Sequence, residues 1–326
     1  MFQLTAMYPC CAHTVVFCDA QPFFKEILVV FYPFLKYNRT ACVKEKRRKE
    51  LMDFIEVIKA VILGIIQGIT EWLPISSTGH LILFDNIWPM ASSPEFFEVF
   101  KVVIQFGSIL AVLVLFFDKL NPFSPKKGYR DKKETFDLWK KVVAGCIPIV
   151  IVGLPLDMIL EDYLSGVYVI AATLILYGIA FIVIESRASV PSMNTLQDLT
   201  YKTAFFIGCF QVLAAIPGTS RSGATILGAV LLGCSRYVAS EFSFFLAVPV
   251  MAGASGLKLL KYFLKEGMFS GPEWFLLIIG TLVSFIVSIF AIRLLLGYIR
   301  NHDFKVFGVY RIILGIVVII YFTFLA

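Results

Sequence analysis

Two short stretches hold most of the side chains in this chain that could do chemistry from within apolar sequence. The first, "EWLPISSTGHLIL" (71–83), sets Glu71, Ser76, Ser77, Thr78 and His80 within ten positions, and Gln67 precedes Glu71 by one helical turn. The second, "PGTSRSGAT" (217–225), offers Gly218, Thr219, Ser220, Arg221 and Ser222. Gln67 and Glu71 are i, i+4 and share one helix face. Hydroxyls and a glycine after a proline suit the start of a new helix, whose free N–H groups and dipole bind anions. A guanidinium fork pairs two phosphate oxygens at once. A serine or imidazole beside a carboxylate supplies a nucleophile and a base. Read together, the stretches form a phosphate site: Glu71, Ser77, His80 and Arg221 as catalytic candidates; Gln67, Ser76, Thr78, Gly218, Thr219, Ser220 and Ser222 as binding candidates. Plainer readings exist for each: a carboxylate at a helix end, a hydrogen-bonded core histidine, a surface arginine. Their concentration favours a site.

The sequence around them is that of a membrane protein. Of 326 residues, 59% are hydrophobic and 16% charged, and the mean hydropathy is +0.83. Soluble domains carry about 25% charged residues. The segments 166–184, 203–219 and 274–292 contain no charge, and about 20 apolar residues span a bilayer core. An ionisable residue at membrane depth is costly and is a functional candidate by default. Glu71 and Arg221 both qualify; Arg221 is the only charge between Lys202 and Arg236. The seven cysteines match no metal or disulfide spacing. The net charge of +6 reads as topology signal, with no nucleic-acid partner.

The elements that must position the two stretches recur. Helices are expected at about 53–73, 77–88, 95–117, 138–160 and 166–185, then at about 200–216, 220–233, 237–262, 273–296 and 306–325. Each half is a proline-broken pair followed by three spans: repeat one about 52–186, repeat two about 200–326. "GIIQGITEWLPISSTG" faces "GCFQVLAAIPGTSRSG". A helix, a polar break and a half-length helix describe a re-entrant pair, tolerated at membrane depth only where protein or a water-filled cavity satisfies the backbone. Three crossings per half make the repeats inverted, an architecture that forms sites from discontinuous helices. The expected fold is therefore an all-α polytopic membrane protein of two inverted repeats. Loop 118–141 carries eight Lys/Arg and reads as cytoplasmic, which opens the Glu71 hairpin to the outside. Residues 1–51 look foreign to this pattern: prolines are scattered and no helical period is evident. They read as an atypical extension of an over-long reading frame, before a single membrane-embedded domain at 52–326.

From residue 52 onward the chain resembles the undecaprenyl-diphosphate phosphatase family of the bacitracin-resistance type. The family's (E/Q)-x-x-x-E motif matches Gln67 and Glu71, its P-x-S-S-T-G-H matches Pro74–His80, and its P-G-x-S-R-S-G matches Pro217–Gly223. "FEVFKVVIQFGSILAV" also resembles family sequence. Gln67 is a permitted variant at the first motif position, so the motif brings one carboxylate. The resemblance implies hydrolysis of undecaprenyl diphosphate to the monophosphate and inorganic phosphate. It also implies a divalent cation (magnesium or calcium), for which Glu71 is the candidate ligand. The implied place is the bacterial cytoplasmic membrane with the site facing out. The expected partners are the polyprenyl diphosphate and membrane lipid, and a homodimer is admissible. Ser77 and His80 both stand as nucleophile candidates. The competing class is a lipid-phosphate transporter using the same anion site.

Overall fold

A computed structural model of the chain describes residues 53–324, apart from 154, 157, 158, 161–163, 165, 188 and 189. The expectation for residues 1–51 lies outside these. The described residues are helical, with one isolated bridge between Met193 and Cys234.

The first broken pair is α1 (53–70) and α2 (Ser77–Ile87). Then come α3 (Pro94–Leu115), the one-turn α4 (Phe117–Leu120) and α5 (Tyr129–Pro148). A π-helical turn, Ile149–Gly153, extends α5, and α6 is Val167–Arg187. The second pair is α7 (Tyr201–Val212), tightened into a 3₁₀ turn at Leu213–Ala215, and α8 (Arg221–Leu231). Finally come α9 (Arg236–Lys265), α10 (Gly271–Tyr298) and α11 (Lys305–Phe324). Five helices, α3, α6, α9, α10 and α11, are long and apolar enough to cross a membrane. The chain is an all-α polytopic membrane protein.

The boundaries follow from local chemistry. Pro74 lacks an amide hydrogen and disfavours helix before it, and α1 unwinds there. Ser93 caps α3, accepting from the Phe96 amide, with Pro94 in the first turn. Helix α5 begins at Tyr129, nine residues before its expected start. The polar run "YRDKKETFD" is helical because Arg130 pairs with Glu134 and Lys141 with Asp137 at i, i+4.

Large apolar side chains lie on the surface as well as in the core, and several polar groups are buried among the helices. Leu264 is 80% exposed and Leu294 74%, while Gln67, Gln211, Ser108, Ser284, Ser288 and Arg311 are buried. Polar groups in the interior bond to one another across helices, as Ser108 Oγ does with Ser284 Oγ at 2.8 Å. Glycines bring backbones together. A Cβ on Gly208 of α7 would lie 2.1 Å from the Gly145 carbonyl of α5; one on Gly64 of α1 would lie 2.7 Å from the Gly280 carbonyl of α10. Gly178 of α6 and Gly308 of α11 meet reciprocally, each Cβ position 2.7 Å from the other's carbonyl.

Candidate active site

The two breaks have the same local construction. Ser76 and Ser220 are the only non-glycine residues with positive φ among the described residues, at 73° and 70°. Each is the N-cap of the helix that follows: Ser76 Oγ accepts from the Gly79 amide at 3.4 Å, and Ser220 Oγ from the Gly223 amide at 3.2 Å. Left-handed backbone at a side-chain-bearing residue is strained, and such strain collects at functional sites. It turns the chain so abruptly that Ser77 and Arg221, the first residues of α2 and α8, face one point.

That point is Glu71. Its carboxylate is buried and accepts three hydrogen bonds. Oε1 accepts from Arg221 Nη2 at 2.8 Å; Oε2 accepts from Gln67 Nε2 at 2.8 Å and from Ser77 Oγ at 2.9 Å. Arg221 is held from its other side, where Nη1 donates to the Ser243 carbonyl at 3.1 Å. Its guanidinium carbon lies 5.8 Å from the Trp72 ring centre, within cation–π range. Ser222 Oγ donates to the Glu71 carbonyl at 3.0 Å. The ion pair and this hydrogen bond join the two halves of the sequence at their breaks.

A cavity of about 220 Å³ opens against these groups. Glu71, Ser77, Thr78, Gly218, Ser220 and Arg221 line it, as expected of them. Gly218 has φ 86°, and a Cβ there would lie 2.2 Å from Thr173 Oγ1, so glycine is required for the turn to seat on α6. Gln67, Ser76 and Ser222 stand behind the lining and hold it. Thr219 is buried, and its hydroxyl has no partner among the described residues. His80 is not brought to the cavity. Its Nδ1 lies 2.7 Å from the Ser76 carbonyl, which can only accept, so the hydrogen is on Nδ1. Nε2 lies 2.7 Å from Tyr310 Oη and accepts from it in the neutral ring.

Three residues that the sequence did not assign to the site belong here. Gln105 of α3 and Gln211 of α7 line the cavity. Arg311 of α11 is 0% exposed and braces both breaks. Its Nη1 donates to the Pro74 carbonyl at 3.2 Å; its Nη2 donates to the Gly218 and Thr219 carbonyls, each at 3.0 Å. No carboxylate pairs with it among the described residues. The signal that marked Arg221 marks Arg311 too: it is the only charge after Lys305.

A larger cleft, about 800 Å³, lies by loop 118–141. Its five basic residues face five acids, and several pair directly, including Lys141 with Asp137 and Arg130 with Glu134. It therefore presents balanced charge, whereas the smaller cavity has a serine hydroxyl, a carboxylate and an arginine in register.

Fold and site define a class: an integral membrane protein with a carboxylate, a serine hydroxyl and an arginine gathered at two apposed helix N-termini. The family described as "Bacitracin resistance protein BacA" matches residues 60–317, and the chain belongs to that family. An "Undecaprenyl-diphosphatase" of Lactiplantibacillus plantarum is 56% identical over 271 residues, 82% of this chain and 98% of the relative. One of Enterococcus faecalis is 54% identical over 275 residues, 84% of this chain and all of the relative. One of Acetivibrio thermocellus is 53% identical over 270 residues.

Proposed function

We propose that the chain is an undecaprenyl-diphosphatase, which hydrolyses undecaprenyl diphosphate to undecaprenyl phosphate and inorganic phosphate. It returns the carrier lipid to cell-wall synthesis and so confers bacitracin resistance. The relatives' names supply the substrate. The observation that carries the chemistry is Glu71, with Ser77 Oγ hydrogen-bonded to one carboxylate oxygen and Arg221 to the other.

Ser77 is the favoured nucleophile. Its hydroxyl attacks the terminal phosphorus while its proton passes to Glu71 Oε2, to which it already donates. The Oγ–P bond forms and the bridging P–O bond to the lipid phosphate breaks, so undecaprenyl phosphate leaves. Water then attacks the phosphoserine; inorganic phosphate leaves and Ser77 regains its proton from Glu71. Arg221 and the N-termini of α2 and α8 hold the phosphoryl oxygens, where charge grows in the transition state. His80 is the weaker candidate, since attack would require one ring nitrogen to leave the Ser76 carbonyl or Tyr310.

A divalent cation fits this donor set as an oxygen-ligated ion. Among the described residues Glu71 is the only carboxylate lining the cavity, and Gln67 Oε1 beside it has no partner. Magnesium typically takes one or two carboxylates and completes its shell with substrate phosphate and water. When bound by Glu71 and Gln67, magnesium or calcium would offset phosphoryl charge.

The proposed setting is the bacterial cytoplasmic membrane, with the cavity opening outward and loop 118–141 inside, because that loop concentrates Lys and Arg. The proposed architecture is two inverted repeats. Supporting it, the α1–α10 crossing at Gly64 has its counterpart in the α7–α5 crossing at Gly208, and α6 meets α11 reciprocally. Such an architecture also serves transport, so the test has two arms. Purified protein in detergent should release one phosphate per prenyl diphosphate and leave the monophosphate. Absence of release, with movement of the lipid between leaflets of reconstituted vesicles, would replace the phosphatase reading with transport.

A further inference from the structure

Gln211 of α7 is fully buried, lines the 220 Å³ cavity, and has no hydrogen-bond partner among the described residues for either Nε2 or Oε1. A buried amide in that state is destabilising, because each unpaired group has lost its hydration without gaining a hydrogen bond. In a membrane interior, without bulk water, native proteins rarely tolerate it.

The first break shows what this position does when it is occupied. Gln67 and Gln211 both follow a glycine by three residues, Gly64 and Gly208. At Gln67 the residue four positions on is Glu71, and the amide is used to hold that carboxylate. At Gln211 the residue four positions on is Ala215, which also lines the cavity. Alanine gives the amide nothing to bind and leaves room in front of it. One half of the molecule thus contributes a committed amide and an acid; the other contributes a free amide and space.

We infer that Gln211 is a substrate-binding residue whose Nε2–H donates to the phosphoryl group bound between Ser77 and Arg221, with its Oε1 accepting from water in the same cavity. This rests on the phosphatase reading and deepens it. The anion site then has donors on three sides: Arg221, the two helix N-termini and the Gln211 amide.

The test uses the full-length protein in detergent and the variants Gln211→Leu and Gln211→Met, both close to glutamine in size and without amide atoms. The probe is a methylene-bridged farnesyl diphosphonate, which cannot be hydrolysed. Both variants should melt at or above the wild-type temperature without probe. They should lose most of the probe-induced rise in melting temperature, and KM for farnesyl diphosphate should rise about tenfold or more, the scale of one hydrogen bond to a charged group. A wild-type probe shift with wild-type KM would overturn the inference. So would a lowered melting temperature, or failure of both variants to fold, because either would make the amide a structural element. If wild-type protein releases no phosphate, the phosphatase reading falls by itself. If wild type turns over and the variants match it, only the role of Gln211 falls.

Discussion

Glu71 receives hydrogen bonds from three parts of the chain: Gln67 on its own helix, Ser77 at the start of the next, and Arg221 from the other half. Any change there removes chemistry and architecture together. Glu71→Gln keeps the shape but leaves Arg221 buried without its acid. Breaking a buried pair in this way costs about 3 kcal/mol or more, and loss of a general base lowers turnover by about a hundredfold or more. The expected result is a fall in both thermal midpoint and turnover per folded molecule; retention of both would remove Glu71 from its central place. His80 is different. Its ring ties the Ser76 carbonyl to Tyr310, outside the cavity. His80→Ala is expected to keep readily measurable phosphate release, with Tyr310→Phe closer still to wild type.

The breaks were readable because proline and hydroxyl residues punctuate apolar sequence. Pro74 and Pro217 mark them, and α2 and α8 begin within a residue or so of the expected places. What could not be read is that Ser76 and Ser220 adopt left-handed backbone, because L-residues with side chains rarely do so without surrounding constraint. That conformation yields an element-scale prediction. Ser220→Ala loses the cap and keeps the strained φ, at a cost of about 0.5–2 kcal/mol, whereas Ser220→Gly loses only a few tenths because glycine accepts both positions. Thermal unfolding should rank wild type first, glycine next, alanine last; alanine equal to wild type would mean that the cap contributes nothing. The early start of α5 escaped notice because polar residues 129–137 lack an apolar period, and the ion pairs that stabilise the helix there depend on pairing four residues apart rather than on composition.

At the scale of the molecule, many large apolar side chains face outward while the buried polar groups bond to one another between helices, and Arg311 shows why this matters. From a helix outside both breaks, its side chain touches each of them, through the Pro74, Gly218 and Thr219 carbonyls. The sequence placed it in an apolar helix far from either motif, and only tertiary packing reveals what it binds. Gln211 stands opposite Gln67 in the two aligned stretches, but what sets it apart is the alanine four residues on, and a missing partner leaves no motif. Arg311→Lys should not rescue the site, since one ammonium cannot reproduce a planar fork. The expected outcome is a lowered thermal midpoint and lost turnover, checked on purified protein; wild-type behaviour would mean the breaks are braced elsewhere. The proposed orientation has its own test: a single cysteine at Lys127→Cys should resist membrane-impermeant thiol reagent in intact cells and react once they are opened. The central claim, that Ser77 attacks phosphorus with Glu71 as its base, is tested most directly by phosphate release from a prenyl diphosphate by Ser77→Ala, per folded molecule. The expected result is a loss of about a hundredfold or more; turnover at the wild-type rate would exclude Ser77 as the nucleophile.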